Sequence, residues 1–213
     1  MTPTSLWRVG YRDAPCDFTP HHLYAWINRF DDELREYRTI YAADRKETCL
    51  REVLADLRPN KKAITDFLKI FGKSGVEENS FGVVSSVWRG KNVLAQVSPV
   101  IVSGRMIDVE DAAVLRRLEP DLAEFLQTEG IRVFNAATVR SRNRRLTQKI
   151  SRLLFNEGEA GIDFHSHLDA NPCHSYFEFR AELHQIGQPI SLTQNIPEFL
   201  LVCKEYGLRL AKC

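Results

Sequence analysis

Three histidines and an aspartate between residues 165 and 174 form the densest group of side chains that could bind a metal ion. His165, His167 and Asp169 alternate along one predicted strand and His174 follows, so two imidazoles could chelate one ion. A structural metal site normally has four ligands, and no Glu or Cys stands at a spacing that completes the set. We therefore expect no metal, and we expect these histidines to face solvent.

Common signatures of phosphate binding and of hydrolytic nucleophiles do not occur in this sequence. Neither G-x-x-x-x-G-K-[ST] nor G-x-G-x-x-G is present, which argues against the frequent nucleotide-binding loops. A G-x-S-x-G elbow is also missing, and this weakens the case for a hydrolase with a catalytic triad.

Positive charge is concentrated in a basic run from Arg132 to Arg152. The run contains seven Lys and Arg residues and no acid, whereas residues 31–56 hold eight acids and five bases. Such asymmetry can indicate a nucleic-acid surface, but Phe134 is the only aromatic residue in the run, and single-strand binding relies on stacking platforms. A solvated helix face, or a docking surface for an acidic partner or a phosphate, is therefore favoured over nucleic acid.

Hydrophobic periodicity places these side chains on interleaved strands and helices. Strands are predicted over 6–12, 37–42, 131–136, 162–166 and 175–179, with two or three more between 81 and 109. Helices are predicted over 21–27, 44–57, 61–71, 109–118, 121–127, 146–155 and 197–210, with Pro120 separating the fourth from the fifth. Interleaving without repeats or linkers indicates a single α+β domain over residues 1–213.

The helix predicted over 44–57 has a defined start and a buried face. Asp44 and Glu47 have the spacing of a capping box, and Pro59 ends the helix. Glu52 stands beside the apolar stripe rather than within it. The stripe consists of Leu50, Val53, Leu54 and Leu57.

Composition agrees with one globular domain and limits its location. The 213 residues are 44% hydrophobic and 27% charged, with a formal net charge of +1, so bulk charge indicates no polyanionic partner. No apolar run approaches the ~18 residues of a membrane span, and the start of the chain lacks a signal-peptide pattern. Five scattered cysteines fit reduced thiols. We therefore expect a cytoplasmic protein.

Several segments of the chain resemble the RES domain, a family named for an Arg, a Glu and a Ser. The family contains toxins of bacterial toxin–antitoxin pairs that degrade NAD. The similar segments are Leu6-Trp7-Arg8-Val9, Arg29-Phe30-Asp31-Asp32, and residues 37–43, 47–54, 146–148 and 161–166. The resemblance spans a core of about residues 6–180 and implies an ADP-ribosyltransferase-like split β-sheet. Residues 181–213 lie outside it and are expected to form a C-terminal cap.

Matched positions in this resemblance assign roles to five side chains. Glu52, Arg29 and Ser166 correspond to catalytic residues, and Arg29, Phe30, Tyr41 and Ser166 to residues that bind NAD. Two positions depart from the family. Phe30 follows the arginine where several members carry Tyr, and His167 follows the serine where Arg is frequent.

The chemistry of these side chains suits cleavage of NAD at the nicotinamide–ribose bond. Nicotinamide is already cationic in NAD and can leave without a general acid, so the Glu52 carboxylate alone could stabilise an oxocarbenium-like transition state. Arg29 can bind pyrophosphate with a two-pronged contact. Tyr41 can stack on a ring or bond a ribose, and Ser166 can orient a ribose hydroxyl or Glu52.

The resemblance therefore predicts an NAD glycohydrolase or phosphorylase that acts as a toxin. Its substrate is NAD, it needs no metal, and a cognate Xre-like antitoxin protein neutralises it. Two alternatives stay open: transfer of ADP-ribose to a protein through the same Glu52, and a nucleic-acid-binding module that uses residues 140–152. The sequence does not distinguish water from inorganic phosphate as the acceptor.

Overall fold

The computed structural model describes residues 5–60, 62, 65, 66, 69 and 82–212, which are built around one large β-sheet. The strands are β1 (Leu6–Tyr11), β2 (Thr39–Ala43), β3 (Val83–Val84), β4 (Asn92–Ile101), β5 (Met106–Asp108), β6 (Gly161–His165), β7 (Pro172–Phe177), β8 (Ala181–Ser191) and β9 (Arg209–Leu210). Seven of them form a sheet in the order β5-β6-β7-β2-β1-β4-β8, and β3 and β9 form a separate parallel pair. Neighbours in the large sheet are antiparallel except β5 and β6.

Helices and short turns alternate with these strands along the chain. The helices are α1 (Lys46–Leu54), α2 (Ser86–Lys91), α3 (Ala112–Thr128), α4 (Ala136–Arg140), α5 (Arg144–Asn156) and α6 (Pro197–Tyr206). Two 3-10 turns cover His21–Leu23 and Ala55–Leu57. The predicted α+β class is confirmed. Within the described ranges, no helix combines the length and hydropathy that crossing a bilayer requires.

The large sheet buries side chains on both faces. Along β2, Tyr41 and Ala43 contact a larger core that α1, α3, α5 and α6 also enter. Ile40 and Ala42 contribute to a smaller core on the opposite face. Successive residues of a strand point to opposite faces, so this alternation places Tyr41 on the face that the helices cover.

Helix α5 confirms the helix predicted over 146–155. Leu146, Ile150 and Leu154 are fully buried, and their spacing puts them on one helical face. Asn143 caps the helix, because its side-chain oxygen accepts a hydrogen bond from the backbone N of Leu146 at 3.1 Å. The cap fixes the end of the loop that joins α4 to α5.

The start of α1 differs from its prediction. Arg45 occupies the N-cap position and its side chain does not cap the helix, so the predicted capping box of Asp44 and Glu47 is wrong. The Asp44 carboxylate instead lies 2.9 Å from Nε2 of His174 on β7. A buried imidazole is the stronger partner for this carboxylate than a helix end that is open to water.

The buried face of α1 is narrower than predicted. Leu50 and Leu54 are fully buried, whereas Val53 and Leu57 are 41% and 37% exposed. The α-helix ends at Leu54 and continues as a 3-10 turn. Because a 3-10 helix has fewer residues per turn than an α-helix, the side chain of Leu57 rotates away from the core.

One helix replaces the two predicted around Pro120. Helix α3 runs through the proline without interruption. The apolar stripe continues across it, with Leu115, Leu118, Leu122 and Leu126 buried. Burial of this stripe against the core stabilises α3 by more than the hydrogen bond that the proline removes.

The strand predicted over 131–136 is also wrong. Residues 131–135 form no regular element, and Val133 is 62% exposed. Asn135 begins α4 instead, because its side chain accepts a hydrogen bond from the backbone N of Thr138 at 3.0 Å. Helix capping by a polar side chain thus overrides a short β-prone sequence.

The remaining differences between prediction and structure concern short helices. Between residues 81 and 109 three strands occur as predicted, but α2 was missed. Of the helix predicted over 21–27, only a 3-10 turn forms. The helix predicted over 61–71 lies largely outside the described residues.

The predicted cap over 181–213 is partly a strand of the sheet. Ala181–Ser191 is β8, which pairs with β4 at the edge of the sheet. Only Ala181 and Leu183 of this strand are buried, so it lacks the hydrophobic alternation by which strands are predicted. Helix α6 does pack on the core, where Phe199 and Val202 are fully buried.

A buried histidine joins three segments of the smaller-core side of the sheet. His174 is 6% exposed and lies 2.7 Å from Asp163 through Nδ1 and 2.9 Å from Asp44 through Nε2. Burial lowers the pKa of His174, but the hydrogen bonds with Asp163 and Asp44 outweigh it, and the pKa is raised. The histidine therefore does not face solvent as predicted.

We predict that His174→Gln removes a pH-dependent part of the stability. The pKa is raised on folding, so the stabilisation is fully present below the unfolded pKa of about 6.5 and is lost as the pH rises through the folded pKa. At pH 6 the substitution should cost about 1–2 kcal/mol, because it removes the charge-assisted hydrogen bonds between a buried imidazole and two partly exposed carboxylates. Urea unfolding at pH 6 and at pH 8.5 measures this.

The variant His22→Gln is the control, because His22 is exposed. It should keep the wild-type dependence of stability on pH. An equal loss of stability at both pH values in His174→Gln would contradict the assignment of a charged His174.

Candidate active site

The segment that carries Arg29 is held by one buried carboxylate. Asp31 is fully buried, and its oxygens accept hydrogen bonds from the hydroxyls of Tyr24 at 2.6 Å and Thr39 at 2.7 Å. They also accept from the backbone N of Asn28 at 2.8 Å. The carboxylate thus fixes the turn at residues 28–31 against β2.

Tyr41 belongs to the same hydrogen-bond network. Its hydroxyl donates to Asp31 at 3.2 Å and accepts from the backbone N of Phe30 at 3.0 Å. Burial and the nearby Asp31 charge raise the pKa of Tyr41 well above its usual value, so the hydroxyl stays protonated. The hydroxyl of Tyr41 thus positions the Arg29 segment. Only the half-buried ring is then available for the predicted stacking on a ligand.

Arg29 lies over two adjacent aromatic rings and has unused donors. Its guanidinium lies 5.2 Å from the ring centres of Phe30 and Phe164, and Nη2 donates to the carbonyl of Val139 at 2.7 Å. Nε and Nη1 are buried and have no hydrogen-bond partner among the described residues. Burial lowers the pKa of Arg29, while Glu52 and Tyr41 act in the opposite direction.

These unused donors fit an anionic ligand. A buried guanidinium without a carboxylate partner costs free energy, and a phosphate oxygen would remove that cost with charge-assisted hydrogen bonds. Arg29 has no ion pair within the described part of the chain. Arg29 lies over the ring of Phe164, two residues before the Ser166 that bonds Glu52, and the Glu52 charge acts to raise the pKa of Arg29.

Phe30 has a different place from the one predicted. Its side chain is fully buried, and its ring lies 4.8 Å from that of Phe164. The ring has no exposed surface for a ligand in this structure, and the binding of NAD by Phe30 stays a prediction. Phe30 supports the Arg29 guanidinium from below.

Glu52 and Ser166 are brought together from α1 and from the end of β6. The hydroxyl of Ser166 donates to Oε1 of Glu52 at 2.5 Å and accepts from the backbone N of Leu168 at 3.1 Å. Ser166 is 1% exposed, and Glu52 is half-buried. The serine therefore fixes one carboxylate oxygen, and the other oxygen has no hydrogen-bond partner among the described residues.

Asp169 fastens the turn after Ser166 to α1. Its Oδ2 accepts hydrogen bonds from the hydroxyl of Thr48 at 2.8 Å and from Nη1 of Arg51 at 2.9 Å. Both donors lie on the helix that carries Glu52. The residue predicted as a possible metal ligand thus serves to set the distance between Glu52 and Ser166.

Further cations act on His167, the residue after Ser166. The pKa of the exposed His167 is lowered by burial and by the charges of Arg29, Arg142 and Arg58, while Glu52 opposes the shift. Three guanidiniums therefore lie within electrostatic range of this ring. Their combined field attracts an anion to the site.

Most of the basic run is neutralised by carboxylates of neighbouring elements. The ion pairs are Arg140–Glu110, Arg145–Glu129, Lys149–Glu33 and Arg152 with Asp32 and Glu36. Arg132, Arg142 and Arg144 have no ion pair among the residues that the structure describes. The predicted positive surface is reduced to these cations, and Arg142 is the one near the site.

The histidines near residue 170 are separated rather than clustered. Nδ1 of His165 lies 2.9 Å from Glu110, whereas His174 lies between Asp163 and Asp44. Within the described ranges, no three His, Cys, Asp or Glu side chains converge as metal ligands.

Sequence reasoning named Arg29, Tyr41, Glu52 and Ser166 but missed the residues that hold them. Asp31 was quoted only as part of a motif, although its place two residues after Arg29 was a usable signal. Asp169 was named only as a possible metal ligand, and Glu110 gave no signal, because their partners are 118 and 55 residues away in sequence.

The fold and the site define an α+β protein that presents, within its described residues, an arginine with unpartnered buried donors and a glutamate hydrogen-bonded by a serine. The sequence pattern of the RES domain matches residues 5–193. The chain therefore belongs to the RES family, and the match extends through β8, beyond the predicted core limit at about residue 180.

Other comparisons give less information. A search of curated proteins found no match. Among solved structures, the chain is similar to one in the M. tuberculosis MbcT–MbcA toxin–antitoxin complex. The identity is 11%, the alignment covers 95% of this chain and 87% of that chain, and the TM-score is 0.45.

We predict that Asp31→Asn destabilises the protein by roughly 2–3 kcal/mol. The amide nitrogen would face hydroxyl and backbone donors that now bond a carboxylate. Urea unfolding measures the change, and Asp13→Asn, at an exposed position, should leave the stability within about 0.5 kcal/mol of wild type. Equal stabilities for the two variants would mean that Asp31 does not hold the segment.

Proposed function

We propose that this RES protein cleaves NAD between nicotinamide and ribose. The observation that carries the proposal is that one site holds a positively charged group, Arg29, and a negatively charged group, Glu52. Arg29 has buried donors without an acceptor, and it lies within electrostatic range of Glu52, which Ser166 holds at 2.5 Å. The substrate must then carry an anionic part for Arg29 and a reacting centre that becomes positive beside Glu52.

NAD has both features. Its pyrophosphate would accept hydrogen bonds from Nε and Nη1 of Arg29, which match the forked geometry of phosphate oxygens. Arg142, exposed and without an ion pair among the described residues, would add to the attraction. The half-buried ring of Tyr41 offers a face for stacking.

Bond cleavage requires stabilisation of positive charge on the ribose. The electron pair of the C–N bond leaves with nicotinamide, which becomes neutral, and the ribose carbon takes on oxocarbenium character. The Glu52 carboxylate would stabilise that charge, with Ser166 fixing one of its oxygens. An acceptor oxygen then bonds to the same carbon and loses its proton.

The acceptor defines the reaction class. Water would make the protein a glycohydrolase, and inorganic phosphate would make it a phosphorylase. Transfer of ADP-ribose to a protein side chain uses the same Glu52 and is the second candidate. Nucleic-acid binding is less favoured, because carboxylates already neutralise four cations of the basic run.

We further propose that the protein is a toxin controlled by a cognate antitoxin, because it belongs to the RES family, which contains such toxins. An acidic or carboxylate-ended segment of an Xre-like partner would bind the donors that otherwise bind pyrophosphate. Arg142 and Arg144 are exposed and could contribute to the same surface.

We predict that Glu52→Gln lowers NAD cleavage by roughly 10²–10³-fold. The amide oxygen can still accept the Ser166 hydroxyl, so the melting temperature should change little while the charge beside the ribose is lost. Release of nicotinamide measures the rate. Glu47→Gln, on the same helix, should keep the wild-type rate, and near-normal turnover by folded Glu52→Gln would refute the mechanism.

We predict that Arg29→Lys raises the KM for NAD about tenfold, because a lysine cannot form a two-pronged phosphate contact. Nicotinamide riboside lacks the pyrophosphate, so its apparent affinity, measured by competition, should be unchanged. Equal losses for both compounds would mean that Arg29 holds the fold or the ribose instead.

A further inference from the structure

A second buried carboxylate lies behind the site and contacts two of its elements. Glu110 precedes α3, and its side chain is 5% exposed. Its Oε1 accepts a hydrogen bond from the backbone N of His165 at 3.0 Å, and its Oε2 lies 2.9 Å from Nδ1 of the same residue. Oε2 also accepts from Nε of Arg140 at 2.8 Å and from the Nη2 of that arginine.

Each partner of Glu110 is next to a group that holds a site residue. Arg140 follows Val139, whose carbonyl accepts the hydrogen bond from Nη2 of Arg29 at 2.7 Å. His165 precedes Ser166, whose hydroxyl bonds Glu52 at 2.5 Å. The carboxylate of Glu110 therefore connects the end of α4, which holds Arg29, with the end of β6, which holds Ser166.

The charges of this group depend on one another. Burial would raise the pKa of Glu110, but hydrogen bonds from Arg140 and His165 outweigh it, and the pKa is lowered. Glu110 is ionised at neutral pH and charge-assisted hydrogen bonds to it are the strong kind. Removing its charge would leave Arg140 without a carboxylate and release the end of α4.

We propose that Glu110 is a positioning residue that holds Val139 where its carbonyl can orient Arg29 for an anionic ligand. For NAD as that ligand, the role rests on the proposed function. Glu110 does not touch the substrate in this account, and it acts through Arg140 and the backbone of α4.

The substitution Glu110→Gln separates the two sides of the contact. Its amide oxygen can replace Oε1 and accept the backbone N–H of His165, so the Ser166 side keeps its support. Its amide nitrogen replaces Oε2 and faces the donors of Arg140, so the Arg29 side loses its support. The KM for NAD should therefore rise about tenfold, the size of a weakened charge-assisted contact, while kcat changes less than about twofold.

The matched control is Glu129→Gln. It breaks a similar ion pair with Arg145 in the same basic run, but within the described ranges neither residue hydrogen-bonds Val139 or Arg29. Its KM and kcat should equal those of the wild type. Arg140→Gln provides a second variant, at a side chain that is 42% exposed. It should raise the KM for NAD about tenfold as well, and it tests the contact even if Glu110→Gln fails to fold.

A double variant tests the route through Arg29. If Glu110 acts through that guanidinium, adding Glu110→Gln to Arg29→Lys should raise the KM by much less than it does in the wild type. Full additivity of the two effects, or an equal loss in kcat, would overturn the positioning role.

A spectroscopic measurement makes the inference independent of NAD cleavage. The Nε–H signal of Arg29 in a ¹⁵N spectrum is identified by its loss in Arg29→Lys. It should shift or broaden in Glu110→Gln and Arg140→Gln and stay in place in Glu129→Gln. Failure of the wild type to cleave NAD would refute the proposed function alone, whereas an unmoved Arg29 signal would refute the role of Glu110.

Discussion

The buried carboxylate of Asp31 is the constraint on which the rest of the site depends. An ionised group inside a protein must be fully hydrogen-bonded, and Asp31 satisfies this through Tyr24, Thr39, Tyr41 and a backbone N–H. These donors come from β2 and from the segment before it. Because they converge on one carboxylate, the turn that carries Arg29 has a defined place over the sheet rather than that of a surface loop.

Two further contacts of this kind complete the arrangement. Asp169 fastens the turn after β6 to α1, and Glu110 fastens the end of β6 to the end of α4. The reacting groups thus lie on separate elements whose relative positions are set by carboxylates behind them. Arg29 alone keeps buried donors without an acceptor among the residues assigned to the site, which suggests that its partner is the ligand. Such preorganisation is what electrostatic catalysis requires.

The spacing of apolar residues along the sequence predicted those helices that bury one apolar face. The stripe of Leu146, Ile150 and Leu154 located α5, and the resemblance to RES proteins located Glu52 and Ser166, which lie 114 residues apart in sequence and hydrogen-bond in the fold. The supporting carboxylates could not be predicted, because burial of a charge depends on distant partners. The edge strand β8 was missed because residues 184–188 are all exposed, so this part of the strand has no alternation of buried and exposed side chains.

We propose that this site breaks the nicotinamide–ribose bond of NAD. The most direct measurement is a time course with NAD labelled in the adenosine moiety, with and without inorganic phosphate, in which nicotinamide and every labelled product are identified by mass. We expect nicotinamide to appear in step with the loss of NAD and the label to stay in a small ADP-ribosyl product. Intact NAD after prolonged incubation with folded protein would contradict the proposal.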